Sequence, residues 1–142
     1  MQNYKNHLRL FPAHHFVLLP AILGLFIWSC IHFFEKDVAL QDRMFWILVS
    51  FILLLLSMIT RIYALKNQDR IIRLEMRQRY FELTGISFAE KEKQLRLGQI
   101  IALRFSSNDE LLSLLERAIK ENLSNKEIKM AVKNWQADNH RI

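Results

Sequence analysis

The chain is poor in residues that break helices. It has 3 glycines and 2 prolines in 142 residues, and neither type occurs between Gly24 and Gly85. Residues 44–83 therefore read as one uninterrupted helix, roughly 60 Å long at ~1.5 Å per residue. No stretch alternates apolar and polar residues as a half-buried strand would, so an all-α fold is expected. Cys30 is the single cysteine. It excludes an internal disulfide and a cysteine metal set, and inside an apolar run it reads as a small hydrophobe. A Gly-rich phosphate loop, paired carboxylates in apolar surroundings and a nucleophile beside a base are all missing. The expectation is no enzyme, no cofactor and no small-molecule substrate.

Charge is missing from two stretches. Residues 16–34 and 44–60 contain no Asp, Glu, Lys or Arg. Either can cross a hydrocarbon layer of ~30 Å. The first is too long for a signal-peptide core and ends in no small-residue cleavage site, so it is read as a span. Pro20 should kink it or mark its first turn. Gly24 and Ser29 permit close helix contact. Residues 35–43 form a polar turn too short for a domain, so the spans are antiparallel neighbours, a transmembrane hairpin. Ser29, Ser50, Ser57 and Thr60 are too few for a transport path, and no charged ring lies mid-span; a channel would need an oligomer.

The aromatic residues cluster at the turn: Trp28, Phe33 and Phe34 before it, Phe45 and Trp46 after it, as at a membrane interface. Residues 1–15 read as an interfacial segment, with Tyr4, Leu8, Leu10 and Phe11 among headgroups and Lys5 and Arg9 on phosphates. His14 and His15 belong to the same interface. Adjacent on a helix they diverge, and a metal site with His7 would require the chain to fold back at Pro12; no metal is expected. His32 lies near the outer end of the first span.

Net charge is +6, and residues 61–142 hold 16 Lys/Arg against 11 Asp/Glu. Arg61, Lys66, Arg70, Arg73, Arg77 and Arg79 follow the second span, outweighing Lys36 and Arg43 in the turn. By the positive-inside rule both termini are cytoplasmic. These cations suit anionic headgroups, an acidic protein or RNA. The interleaved Asp69, Glu75 and Glu82, with no aromatic platform for bases, weigh against RNA. On the same basic juxtamembrane helix, residues 61–84, Ile62, Leu65, Ile72, Met76 and Tyr80 make an apolar seam, with Asp69 filling one position. Such a stripe needs a mate: the chain's own head, a second copy, or another protein.

Thr84-Gly85 ends the long helix. Three Ser-x-x-Glu boxes follow, at Ser87/Glu90, Ser107/Glu110 and Ser124/Glu127. They predict three helix starts and helices over 87–105, 107–122 and 124–136. Leu97, Ile100, Ile101 and Phe105 stripe the first; Leu111, Leu112, Leu115, Ala118 and Ile119 the second; Ile128, Ala131, Val132 and Trp135 the third. Residues 85–142 should form a small helical domain, too small to bury much surface without the helix that leads into it.

The opening Gln2-Asn3-Tyr4-Lys5-Asn6-His7, the entry Pro12/His14-His15-Phe16 and the tail from Leu103-Arg104-Phe105 to Ile128-Lys129-Met130-Ala131-Val132-Lys133-Asn134-Trp135-Gln136 resemble a family of small bacterial two-span membrane proteins of unknown function. The resemblance implies a bacterial envelope protein with a cytoplasmic helical tail. It carries no activity. Together these features point to a non-enzymatic accessory or adaptor subunit of a bacterial inner-membrane assembly. Its partners would be the bilayer and other membrane subunits or further copies of itself. A membrane tether for an anionic body such as a ribosome is the second expectation, and an oligomeric transporter or channel subunit the third.

Overall fold

The computed structural model describes residues 11–35 and 37–136. Every described element is helical. A π-helical turn, Ala13–Leu18, leads into α1, Leu19–His32. Then come α2, Leu40–Thr84; α3, Ala89–Glu92; α4, Leu97–Leu103; α5, Asn108–Lys120; and α6, Asn125–Ala131. The all-α reading holds. The boundary between two compact units falls inside α2, after Leu65.

Two helices are long and apolar enough to cross a membrane, Ala13–His32 and Leu40–Thr84; the first unit holds the former and the latter as far as Leu65. Only 11% of either apolar window is buried, unlike the core helix of a soluble protein. Pro20 sits in the first turn of α1, as one of the two expected placements. It has no N–H for the carbonyl four residues back, and the turn before it is widened: Leu19 N–H bonds His14 O, five residues away. The helix ends at His32 in a tight turn, where Phe33, Phe34 and Glu35 donate to Ser29, Ile31 and His32 carbonyls. The next starts at Leu40, earlier than its apolar run, because nothing in Leu40-Gln41-Asp42-Arg43 resists helix.

The buried residues of this unit are Ile22 and Ser29 on α1 and Ser50 and Ser57 on α2. Each pair is seven residues apart, two helical turns on one face. Phe26 meets Phe51 with ring centroids 6.3 Å apart, which sets the antiparallel register. Small residues let the helices approach. Ser29 returns its hydroxyl to Leu25 O at 2.8 Å and Ser50 to Trp46 O at 2.8 Å, so neither needs water. Cys30 is half-buried and free.

In the second unit, α4, α5 and α6 pack together with the far part of α2 around one core. Two capping boxes start helices where the sequence places them. Ser124 and Glu127 exchange bonds at 3.3 and 2.7 Å. At Ser107, Glu110 reaches back to the backbone N–H at 3.3 Å. Glu127 is held below the usual carboxylate range by its hydrogen bonds to Ser124. Asn122, at φ 49, turns the chain after α5, and Leu123 N–H closes on Ala118 O at 3.1 Å.

Two helix bounds are corrected. The segment 87–105 is not one helix. Ser87 Oγ accepts only the Ala89 N–H, α3 stops after one turn, and α4 restarts where Gln99 Oε1 accepts the Arg96 N–H at 2.7 Å. Gly98 allows the crossing with α6: a Cβ there would meet Asn125 Nδ2 at 2.1 Å. The segment 124–136 is helical only to Ala131. Beyond it, Lys133 and Asn134 give their N–H groups to the Glu110 carboxylate at 3.0 and 3.1 Å, and Gln136 gives its own to Phe105 O at 2.7 Å.

Candidate functional site

The apolar seam divides into two fates. Ile72, Met76 and Tyr80 are buried at 3, 2 and 8% exposure in the same cluster as Phe88, Ile100, Leu103, Leu111, Leu115 and Ile128. Of the three mates open to the seam, the chain's own head takes these three residues. Tyr80 lies against Phe88 with ring centroids 5.1 Å apart. Phe88 can fold back because Gly85, at φ 70, reverses the chain after α2. Ile62 is exposed and Leu65 half-buried, and both belong to the other unit. Asp69, in the seam by spacing, is half-buried.

The basic residues also separate. Arg79 is turned into the head. It donates Nε to Asn108 Oδ1 at 2.6 Å, Nη2 to Ser106 O at 2.6 Å and Nη1 to Arg104 O at 3.2 Å. Three donors in a rigid fork thus satisfy the end of α4 and the start of α5. Burial draws its pKa below the ordinary arginine value. Arg77 gives Nε to Glu92 Oε2 at 2.6 Å, and Arg73 Nη1 lies 3.4 Å from Glu92 Oε1. The bond to Glu92 and its charge raise the Arg77 pKa. Lys91 pairs with Glu116 at 2.6 Å, and that bond raises the lysine. Arg73, Arg77 and Arg79 therefore serve the head itself. Arg61, Lys66 and Arg70 show no ion pair among the described residues, and Lys66 and Arg70 are exposed.

At the turn end of the helical hairpin, Trp28, Ser29, His32, Val38, Arg43 and Trp46 line a cavity of about 220 Å³. Arg43 donates Nη1 to Phe33 O at 2.9 Å and lies 5.9 Å from the Phe33 ring centre. It caps the end of α1 from the start of α2, fastening the turn. His32 packs on Trp28 at 4.6 Å and pairs with Glu35. Trp28 and Trp46 are each about half exposed, at 49 and 46%. His14 and His15 stand edge to face, ring centroids 5.0 Å apart, and His15 Nδ1 reaches Phe11 O at 3.0 Å. Among the described residues no three His, Cys, Asp or Glu side chains are placed to hold a metal ion. Tyr4 and His7 lie outside the described residues.

Three features escape the sequence reading. Gln99 is buried, tying Arg96 N–H to Leu123 O; in Arg96-Leu97-Gly98-Gln99 no Ser or Thr announced a cap. Glu110 was assigned to a cap, yet it also fixes Lys133 and Asn134, 23 and 24 residues further on, a link no local spacing could announce. The third is a second apolar stripe on α2. Ile71, Leu74 and Phe81 are 54, 60 and 58% exposed. Their steps of three and seven residues were legible, but the neighbouring seam drew the assignment.

No curated protein and no solved structure matches the chain. The sequence profile of one family matches residues 1–142, and its description is a family of unknown function, DUF6526. The chain belongs to the DUF6526 family of unknown function.

Proposed function

We propose that this chain is a non-enzymatic accessory or adaptor subunit of a bacterial inner-membrane assembly. A two-span hairpin anchors it, both termini lie in the cytoplasm, and the helical head meets a partner. The observation that carries the reading is the use of the juxtamembrane seam. Ile72, Met76 and Tyr80 belong to the core of the head, so the helix that leaves the second apolar run is itself a wall of the folded module. The continuity of this helix with the second apolar run supports the reading of a membrane-anchored module. The side chains of Arg79 and Glu110 hold backbone groups of their own head.

Arg61, Lys66 and Arg70 favour an anionic surface beside the second span. Headgroups satisfy that chemistry; a tethered ribosome is the second reading.

Two experiments test the proposal. Cysteines at Gln41 and Asp138, in a Cys30→Ser background, should label from opposite sides of the membrane; labelling from one side overturns the topology. Affinity purification after mild detergent extraction should recover membrane subunits at fixed stoichiometry. Salt-sensitive recovery of ribosomal RNA and ribosomal proteins would replace the adaptor with the tether. A turnover of a small molecule by the purified chain would overturn both.

A further inference from the structure

The head covers only one side of α2. Counted at ~100° per residue, Ile72, Met76, Tyr80 and Leu83 centre roughly opposite to Ile71, Leu74, Gln78 and Phe81. The first set is buried or partly buried in the head, and the second is exposed. Three large apolar side chains more than half exposed on one helix stripe call for a mate.

The charges beside the stripe identify it. Written as a heptad, Ile71 and Gln78 are a positions and Asn67, Leu74 and Phe81 are d positions. The flanking g positions are then Arg70 and Arg77, and the e positions Glu75 and Glu82. In a parallel pair each g residue faces the e residue five positions on in the other helix, so Arg70 meets Glu75 and Arg77 meets Glu82. In an antiparallel pair g faces g and e faces e, setting arginine on arginine and glutamate on glutamate. The pattern selects one orientation. Ile at a with Leu at d suits two strands, and a polar Gln at a fixes register at some cost in stability. The head stands on the b, c and f positions, outside this seam.

We propose that a second copy of this chain covers the stripe, forming a short parallel coiled coil through Ile71, Leu74, Gln78 and Phe81. Arg70, Glu75 and Glu82 are exposed, and Gln78 Nε2 already bonds Glu82 Oε1 at 2.8 Å within one copy. Arg77 uses Nε on Glu92 and has Nη donors for a second carboxylate. So short a seam is weak between soluble chains. Here the inference rests on the two-span reading: two copies in one bilayer share a direction and a high effective concentration.

The test uses the full chain with Cys30→Ser, reconstituted in vesicles and oxidised with copper phenanthroline. Leu74→Cys and Phe81→Cys, each alone, should give a disulfide-linked dimer, while Lys120→Cys on the exposed surface of α5 should not. Arg70→Glu and Glu75→Arg touch no contact of the head. In the Leu74→Cys background each should lower the dimer yield by at least about threefold, and mixing the two variants should restore it as a heterodimer. Linking at only one of positions 74 and 81 would mean an antiparallel pair and overturn the proposal. Yields at both no higher than at Lys120→Cys, or no recovery on mixing, would overturn it too. The assay contains only this chain, so its failure leaves the adaptor reading standing, and loss of the adaptor's partners leaves the dimer standing.

Discussion

Gln99 Nε2 donates to the carbonyl of Leu123 at 2.8 Å, twenty-four residues away, while its Oε1 receives the backbone N–H of Arg96 at 2.7 Å. One buried amide thereby starts α4 and fixes the link between α5 and α6. Replacing it with Leu leaves a buried carbonyl without its donor. Gln99→Leu should cost the head about 1–3 kcal/mol. Gln99→Glu keeps the acceptor for Arg96 and loses the donor to Leu123, so it should also destabilise. Thermal melts of the full chain in detergent, followed by circular dichroism, read both.

Arg79 should not tolerate Lys. Its guanidinium serves Asn108, Arg104 O and Ser106 O from three nitrogens. An ammonium is a point donor on a flexible stem and cannot span the three. Arg79→Lys should lose about 1–3 kcal/mol, as two carbonyls near the end of α4 go short of a donor. Limited proteolysis should then cut between α4 and α5 first. An unchanged cleavage pattern would show that the charge alone matters.

Neighbouring residues on α2 should give opposite results. Ile72 and Met76 are 3 and 2% exposed, while Ile71 and Leu74 are 54 and 60% exposed. Ile72→Asp with Met76→Asp places two charges in a small core, and a marginal domain does not survive that. Residues 86–136 should become protease-sensitive with membrane insertion intact. Ile71→Asp with Leu74→Asp should leave the head resistant.

Acid should loosen the start of α6. Hydrogen bonds from Ser124 hold the Glu127 pKa below its ordinary value in the folded chain. A carboxyl with a depressed folded pKa contributes stability that is present above the unfolded value, about 4.3, and is lost as pH falls through the folded value. The affected window therefore lies at and below about pH 4. Ser124→Ala should raise the Glu127 pKa toward the ordinary value, seen in a carboxyl NMR titration. Glu127→Gln should remove this contribution to the acid dependence.

The sequence by itself determined the helical class, because it lacks alternation and, from Gly24 to Gly85, lacks breakers. It determined two long apolar helices, because uncharged runs of that length are plain in composition. It also determined the starts of α5 and α6, since a capping box is local chemistry between residues three apart. Tertiary structure decided what lies beyond local reach. The break before α4 depends on Gln99 finding Leu123, and the early end of α6 depends on Glu110 drawing in the backbone of Lys133 and Asn134. The basic run on α2 looked uniform in sequence. Only the fold separates Arg79, spent on carbonyls, and Arg73 and Arg77, gathered on Glu92, from Arg70, left exposed. The two apolar stripes of α2 are equally periodic, and periodicity cannot say which one a domain will cover. That choice falls to Gly85 and Phe88, which fold the chain back onto Tyr80 and leave Leu74 bare.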